Sequence, residues 1–128
     1  MRRAAVLGKP IRHSLSPLLH RTAYAALGLD WRYDAVECDE SALADVLAGL
    51  DDSWVGLSLT MPLKEAVLPL LDEVAPEADV LSAVNTVLLR EGRRYGLNTD
   101  VDGLAAALRE AGAVPPAGGG TAVVLGAG

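Results

Sequence analysis

The stretch WVGLSLTMPLK, residues 54–64, passes from an apolar segment into one that a proline opens. Residues 54–59 have the composition of a buried strand, and Pro62 suits the first position of a helix. Lys64 then occupies the third helical position, where a cation beside the positive end of the helix dipole costs about 0.3–1 kcal/mol. It is one of only two lysines in a chain that has nine arginines. We therefore expect a chemical role for Lys64, the alternative being an exposed surface lysine.

Strands and helices alternate on both sides of this stretch. Ser16, as N-cap, and Pro17 open a helix that runs to about Leu27, and Glu91-Gly92 has the pattern of a tight hairpin turn. The remaining predicted strands are residues 4–7, 31–38, 87–90, 93–95 and 121–125, and the remaining predicted helices cover 43–50, a segment after Pro62, a segment after Pro76, and 101–111. This alternation predicts an α/β fold, a three-layer α/β/α domain with a mainly parallel sheet.

Composition excludes several classes of function. The formal net charge is −6, and no basic cluster exceeds two neighbouring arginines, so we expect neither a nucleic-acid nor a membrane-surface partner. The single Cys38 cannot form an internal disulfide, which suits a reducing cytoplasm. No apolar run approaches the roughly 20 residues that a membrane-spanning helix needs. The sequence therefore predicts a soluble cytoplasmic protein.

Two serines precede the first predicted helix. If Ser16 caps that helix, Ser14 has a hydroxyl with no local function. Two hydroxyls beside the free amides of a helix N-terminus can bind a carboxylate or a phosphate; the alternative is a serine-rich loop. His13 and His20 lie nearby, but no acid or thiol follows at ligand spacing, so we predict no metal site.

Two further polar clusters stand at junctions between strands and helices. Asn85 lies in apolar sequence and must be hydrogen-bonded, either to backbone or to a ligand. Asp100 follows Asn98 and Thr99 and is either a helix N-cap alone or a carboxylate of the same site. Ligands of α/β sheets gather at such junctions. Together these residues suit a small polar acid whose oxygen gains or loses a proton.

Four motifs, in this order, resemble shikimate dehydrogenase: SLSP at 14–17, LTMPLK at 59–64, AVNT at 83–86, and NTD at 98–100 followed by Gly103. The resemblance runs from about Ala5 to the end of the chain. It implies NADP-dependent reduction of 3-dehydroshikimate to shikimate, on the route to chorismate and the aromatic amino acids.

The resemblance also implies roles for individual residues. Ser14 and Ser16 would bind the substrate carboxylate. The ring hydroxyls and the reacting oxygen would be contacted by Thr60, Lys64, Asn85 and Asp100. Lys64 and Asp100 would form the catalytic pair, with Lys64 as general acid for ketone reduction. The family's usual asparagine two residues before Thr60 is Ser58 here, which changes the detail of that contact.

The same resemblance divides the chain. Residues 1–112 would form the shikimate-binding catalytic domain, residues 113–120 a linker, and residues 121–128 the first strand of a truncated Rossmann-like domain that binds NADP. Gly126, Ala127 and Gly128 would begin its glycine-rich turn, an incomplete cofactor motif because the helix that holds the pyrophosphate is not included. We expect this chain alone to bind NADP weakly and to be inactive, and its last strand to be able to pair with a second copy.

Two alternatives stay open. A quinate or quinate/shikimate dehydrogenase shares most of these motifs, although the two serines of SLSP favour shikimate. A binding module that holds a cyclic hydroxy acid without chemistry is the other, and Lys64 together with Asp100 argues against it, because a pure binder needs no proton donor.

Overall fold

One mixed sheet organises the computed structural model, which describes residues 1–113 and 115–126. Its strands are β1 (Arg2–Gly8), β2 (Trp31–Glu37), β3 (Trp54–Leu59), β4 (Glu73–Val74), β5 (Thr86–Arg90) and β6 (Arg93–Leu97). They lie in the order β2-β1-β3-β5-β6-β4. β1 pairs in parallel with β2 and β3, β4 pairs in parallel with β6, and β5 is antiparallel to both neighbours. The prediction of a mainly parallel α/β sheet is confirmed.

The helices are α1 (Ser16–Ala26), α2 (Glu40–Ala48), α3 (Leu63–Ala66), α4 (Pro76–Leu81) and α5 (Asp100–Glu110), with a 3-10 helix at Leu68–Leu70. The side chain of Asp39 caps α2 by accepting the N–H of Ala42 at 3.2 Å. Within the described ranges, no helix is long and apolar enough to cross a membrane.

Side chains of β1 alternate between the two faces of the sheet, so each face has its own core. Ala5 and Leu7 belong to the larger core, which α2, α3 and α4 complete with buried residues such as Leu43 and Leu63. Ala4 and Val6 belong to a smaller core on the opposite face. It also contains Ile11 and Tyr33, with Tyr24 of α1 packed against it. The three predicted layers follow from this division.

The predicted hairpin is present and is longer than expected. Glu91 and Gly92 both have positive φ, 53° and 72°, as a two-residue turn between twisted strands favours. The pairing runs from Arg90 opposite Arg93 to Thr86 opposite Leu97. It therefore brings the residue before β5 close to the residues after β6, although they lie more than ten positions apart in sequence.

The helix predicted from Pro62, with an end or kink expected at Pro69, is present and short. α3 has four residues, Pro62 stands at its cap position, and Pro69 falls in the following 3-10 helix. Proline has no N–H to donate, so the helix cannot continue through it. The helix-dipole argument for Lys64 therefore has little force, and its placement has to be explained by its contacts.

The predicted strand at residues 121–125 does not form, and the described residues up to Gly126 are irregular and exposed. A strand needs a neighbouring strand for its backbone hydrogen bonds, and this segment pairs with neither edge of the sheet, β2 or β4. β4, in contrast, was not predicted, because two residues are too few for a recognisable pattern. The division into a domain, a linker and the start of a second domain stays a prediction.

Candidate active site

A cavity of about 380 Å³ lies beside the carboxyl ends of β1 and β3. It is lined by all six residues predicted to bind substrate, namely Ser14, Ser16, Thr60, Lys64, Asn85 and Asp100. Val6, His20, Ser58, Leu59, Thr86 and Thr99 complete the lining. Residues from separate strand-to-helix junctions thus meet in one place, as ligand sites of α/β sheets do.

The two serines have exchanged the functions that the sequence suggested. α1 begins at Ser16, the cap position is Leu15, and no side chain caps the helix. Ser14 instead has the local function, because its Oγ accepts the N–H of Ser16 at 3.3 Å. Accepting this bond leaves the Ser14 O–H free to donate. Both hydroxyls line the cavity and are suited to an acceptor such as a carboxylate.

Lys64 and Asp100 form an ion pair across the cavity wall. The Nζ of Lys64 donates to Oδ2 of Asp100 at 2.7 Å, and the side chains are 35% and 55% exposed. This hydrogen bond is the main cause that holds the pKa of Asp100 below its ordinary value; the Asn85 amide acts in the same direction, and burial opposes both. Asp100 is therefore a carboxylate at neutral pH, with the only ammonium group among the lining residues beside it.

The amide of Asn85 joins the ends of β5 and β6. Its Nδ2 donates to Oγ1 of Thr99 at 2.9 Å, and its Oδ1 accepts the Thr99 N–H and the Thr86 hydroxyl, each at 3.0 Å. One N–H of the amide remains, and the Asn85 amide also helps to lower the pKa of the Asp100 carboxyl. The sequence left open whether Asn85 is hydrogen-bonded to backbone or to a ligand. The structure shows a bond to backbone, and one amide N–H remains for a ligand.

Asp100 is not the N-cap that the sequence suggested. Thr99 occupies the cap position of α5 without a side-chain cap bond. The buried Asn98, 7% exposed, holds this turn instead: its Oδ1 accepts the Asp100 N–H at 2.8 Å and its Nδ2 donates to the Ala83 carbonyl at 2.9 Å. Freed from capping, the Asp100 carboxylate is available to Lys64.

Sequence reasoning missed His20 and Thr99 as lining residues, whereas Ser58 was named through the resemblance as a changed contact. His20 lies four residues after Ser16 on α1, so both fall on one face of the helix. That spacing was the signal that would have found it. Thr99 could have been inferred from its place between Asn98 and Asp100.

A second, larger cavity of about 1080 Å³ runs along the sheet surface. It shares His20, Ser58 and Thr86 with the smaller cavity but contains none of the six predicted residues. Its lining mixes aromatic and aliphatic side chains with scattered charges and does not include the pair of Lys64 and Asp100. The smaller cavity thus concentrates the hydrogen-bonding groups.

The described residues provide no cradle for a dinucleotide. Gly126 has a positive φ of 76° and open space where a Cβ would stand, and it follows an irregular segment rather than a strand. Ala127 and Gly128, the rest of the predicted cofactor motif, lie outside the described residues. A search of the same described residues finds no group of three or more histidine, cysteine or acidic side chains that suits a metal ion.

Residues 6–87 match the family model for the shikimate dehydrogenase substrate binding domain. The chain belongs to this family. The matched range contains five of the six predicted residues, and the ion pair with Lys64 adds the sixth, Asp100.

Known members of the shikimate dehydrogenase family are similar to the whole chain. A shikimate dehydrogenase (NADP(+)) of Thermus thermophilus is 49% identical over 128 residues, 100% of this chain and 48% of that protein. One from Citrifermentans bemidjiense is 48% identical over 126 residues, 98% of this chain and 43% of that protein. The crystal structure of a Thermus thermophilus shikimate 5-dehydrogenase in complex with shikimate superposes with a TM-score of 0.83 at 49% identity, covering 90% of this chain and 44% of that one. This chain thus spans about half the length of these relatives.

Proposed function

We propose that this chain is the substrate-binding half of an NADP-dependent shikimate dehydrogenase, which reduces 3-dehydroshikimate to shikimate. The observation that carries the proposal is the convergence of four separate sequence clusters on one cavity with a lysine and a carboxylate in contact. The Thermus thermophilus relative, named as shikimate dehydrogenase and crystallised with shikimate, supports the same substrate.

In this proposal the chain holds the substrate by its carboxylate. Ser14 and Ser16 donate their O–H groups to it, at the N-terminus of α1, where the helix dipole also favours an anion. Thr60 and Asn85 contact ring hydroxyls from the ends of β3 and β5. The substrate is thereby oriented with its reacting oxygen toward Lys64.

Lys64 supplies the proton of the reduction. As hydride arrives at the carbonyl carbon, the ketone oxygen gains negative charge, and the Lys64 ammonium donates a proton to it to give the alcohol. Asp100, ionised throughout, stabilises the ammonium before this transfer and orients it through the 2.7 Å hydrogen bond. In the oxidation of shikimate, neutral Lys64 takes the hydroxyl proton. The hydride would come from NADPH. We assign NADP binding to the part of the shikimate dehydrogenase (NADP(+)) relatives that this chain does not span.

Shikimate rather than quinate is the substrate we favour, because both serines of the SLSP motif line the cavity. Turnover of the complete protein on each acid tests this choice, and a clear preference for quinate would overturn it. A binder without chemistry is disfavoured by the ion pair of Lys64 with Asp100, because holding a cyclic hydroxy acid requires no proton donor.

Location and self-association complete the proposal. A cytoplasmic protein is consistent with the single buried Cys38. Val123, Val124 and Leu125 are exposed large hydrophobic residues, and a second copy of the chain would cover them if they pair as strands. Sedimentation at increasing protein concentration, with and without residues 121–128, measures this association.

Binding of shikimate to this chain tests the proposed function without the second half. We expect titration with shikimate to shift the backbone NMR signals of residues 14–16, 60, 85 and 100, with weak affinity, and titration with NADP to shift none. Lys9 and Asp39, an ion pair outside the cavity, give signals that should not move. Shifts confined to the larger cavity, for example at Trp31 and Leu88, would contradict the proposal.

A further inference from the structure

The buried hydroxyl of Tyr33 touches the candidate site from behind. Tyr33 lies in β2 and is 2% exposed, and its hydroxyl donates to Oγ of Ser58 at 2.7 Å. Ser58 lines the cavity, whereas Tyr33 does not. Burial raises the pKa of Tyr33, with the Ser58 and Ser16 hydroxyls opposing the shift, so the phenol keeps its proton and can donate it.

His20 fixes the position of this tyrosine. The two rings are stacked, with centroids 4.0 Å apart and an angle of 10° between their planes. The Nδ1 of His20 lies 2.9 Å from the Ser16 carbonyl oxygen. A carbonyl can only accept, so Nδ1 carries the hydrogen. His20 thus ties the first turn of α1, where Ser16 stands, to the ring of Tyr33.

The direction of these hydrogen bonds determines what the cavity can bind. The Ser58 oxygen accepts from Tyr33, and within the described part of the chain its own O–H has no acceptor. The same holds at Ser14, whose oxygen accepts the Ser16 N–H. A carboxylate has acceptors only. Because the oxygens of these serines already accept a hydrogen bond, their O–H groups are oriented to donate, as a carboxylate requires.

We propose that Tyr33 is a positioning residue that directs the Ser58 hydroxyl toward the carboxylate of the bound substrate, with His20 holding the tyrosine ring in place. This inference rests on the proposed function, since it takes shikimate as the ligand. Ser58 joins Ser14 and Ser16 as a third donor to the acid. The tyrosine hydroxyl supplies a hydrogen-bond partner that holds the short serine side chain in place.

Tyr33→Phe is the direct test, because it keeps the ring and its stacking on His20 and removes only the hydroxyl. Shikimate affinity is measured by NMR titration for the wild type, Tyr33→Phe, Ser58→Ala and the double variant. Ser58→Ala should weaken binding roughly ten- to 100-fold, as expected for one hydrogen bond to a charged group, and Tyr33→Phe should weaken it by no more than that. The double variant should bind no more weakly than Ser58→Ala alone, since Tyr33 acts through Ser58. The methyl ester of shikimate, which lacks the charge, should show a smaller loss with Tyr33→Phe.

The outcomes separate this inference from the proposed function. The role of Tyr33 would be overturned if Tyr33→Phe bound shikimate with wild-type affinity, or if the two losses simply added in the double variant. Binding of shikimate to the wild type would then still support the proposed function. Absence of shikimate binding to the wild type would overturn both. If Tyr33→Phe does not fold, Ser58→Ala decides alone: unchanged shikimate affinity would show that Ser58 donates nothing to the substrate.

Discussion

Replacing Lys64 by alanine separates the chemical role of this side chain from its contribution to folding. The pair with Asp100 is short, 2.7 Å, but its side chains are 35% and 55% exposed. Pairs this exposed contribute about 0–1 kcal/mol, because water screens the attraction and the side chains lose freedom. We therefore expect Lys64→Ala to lower the free energy of unfolding by at most about 1 kcal/mol, as measured by urea denaturation followed by circular dichroism.

The effect on catalysis should be far larger. In a complete protein that carries both halves, loss of the general acid should lower kcat for 3-dehydroshikimate by about 10²–10⁴-fold. KM should change much less, since the carboxylate contacts at Ser14 and Ser16 remain. The consumption of NADPH, followed by its absorbance, gives both constants for the wild type and the variant.

Lys9 provides the matched control. It is the other lysine of the chain, and its Nζ pairs with Asp39 Oδ2 at 3.0 Å with side chains 52% and 34% exposed, but it does not line the cavity. Lys9→Ala should lose a surface ion pair and leave kcat unchanged. The catalytic role is refuted if Lys64→Ala keeps the wild-type kcat while KM rises, because Lys64 would then bind substrate without transferring a proton.

Three further predictions concern binding, stability and pH. Ser14→Ala should weaken shikimate binding by about 1–3 kcal/mol, the cost of a lost hydrogen bond to a charged group, in a calorimetric or NMR titration; unchanged binding would remove Ser14 from the site. Gly96→Ala should destabilise the chain by about 1–3 kcal/mol through overpacking, because a Cβ there would collide with the side chains of Leu71 and Val84. Gly103 lies in α5 and has nothing within 4 Å of an added Cβ, so Gly103→Ala should stabilise the chain by up to about 1 kcal/mol. A higher melting temperature for Gly96→Ala than for Gly103→Ala would contradict this description of the packing. Hydrogen bonds from Ser41 and Lys9 lower the pKa of Asp39 to about 2. The Asp39 carboxylate therefore stabilises the fold fully above the ordinary aspartate pKa of about 3.9, and this stabilisation is lost as the pH falls toward 2. The free energy of unfolding, measured across this range, should depend less on pH in Asp39→Asn than in the wild type.

The sequence determined the order of elements and the place of the site for identifiable reasons. The apolar segment at 54–59 is β3 with the predicted bounds, and Glu91-Gly92 forms the predicted turn with both residues at positive φ. Convergence of the polar clusters followed from their positions at strand-to-helix junctions. These features depend on local composition and on the geometry common to α/β sheets.

Features that depend on tertiary contacts were not predictable in this way. The loop backbone decides which of the two serines accepts a backbone N–H at the start of α1. The sequence suggested Ser16, and the structure uses Ser14. The stacking of His20 on Tyr33 joins residues 13 positions apart on different elements, and no periodic pattern reports it. The segment 121–125 has strand-like composition, but a strand also requires a partner.

A crystal structure of this chain, determined from crystals soaked with shikimate, tests the central claim most directly. We predict one shikimate molecule in the cavity between α1 and α5, with its carboxylate within hydrogen-bonding distance of the Ser14 and Ser16 hydroxyls and a ring oxygen beside Lys64 Nζ. A shikimate carboxylate bound to Lys64, with the serines facing water, would contradict this claim.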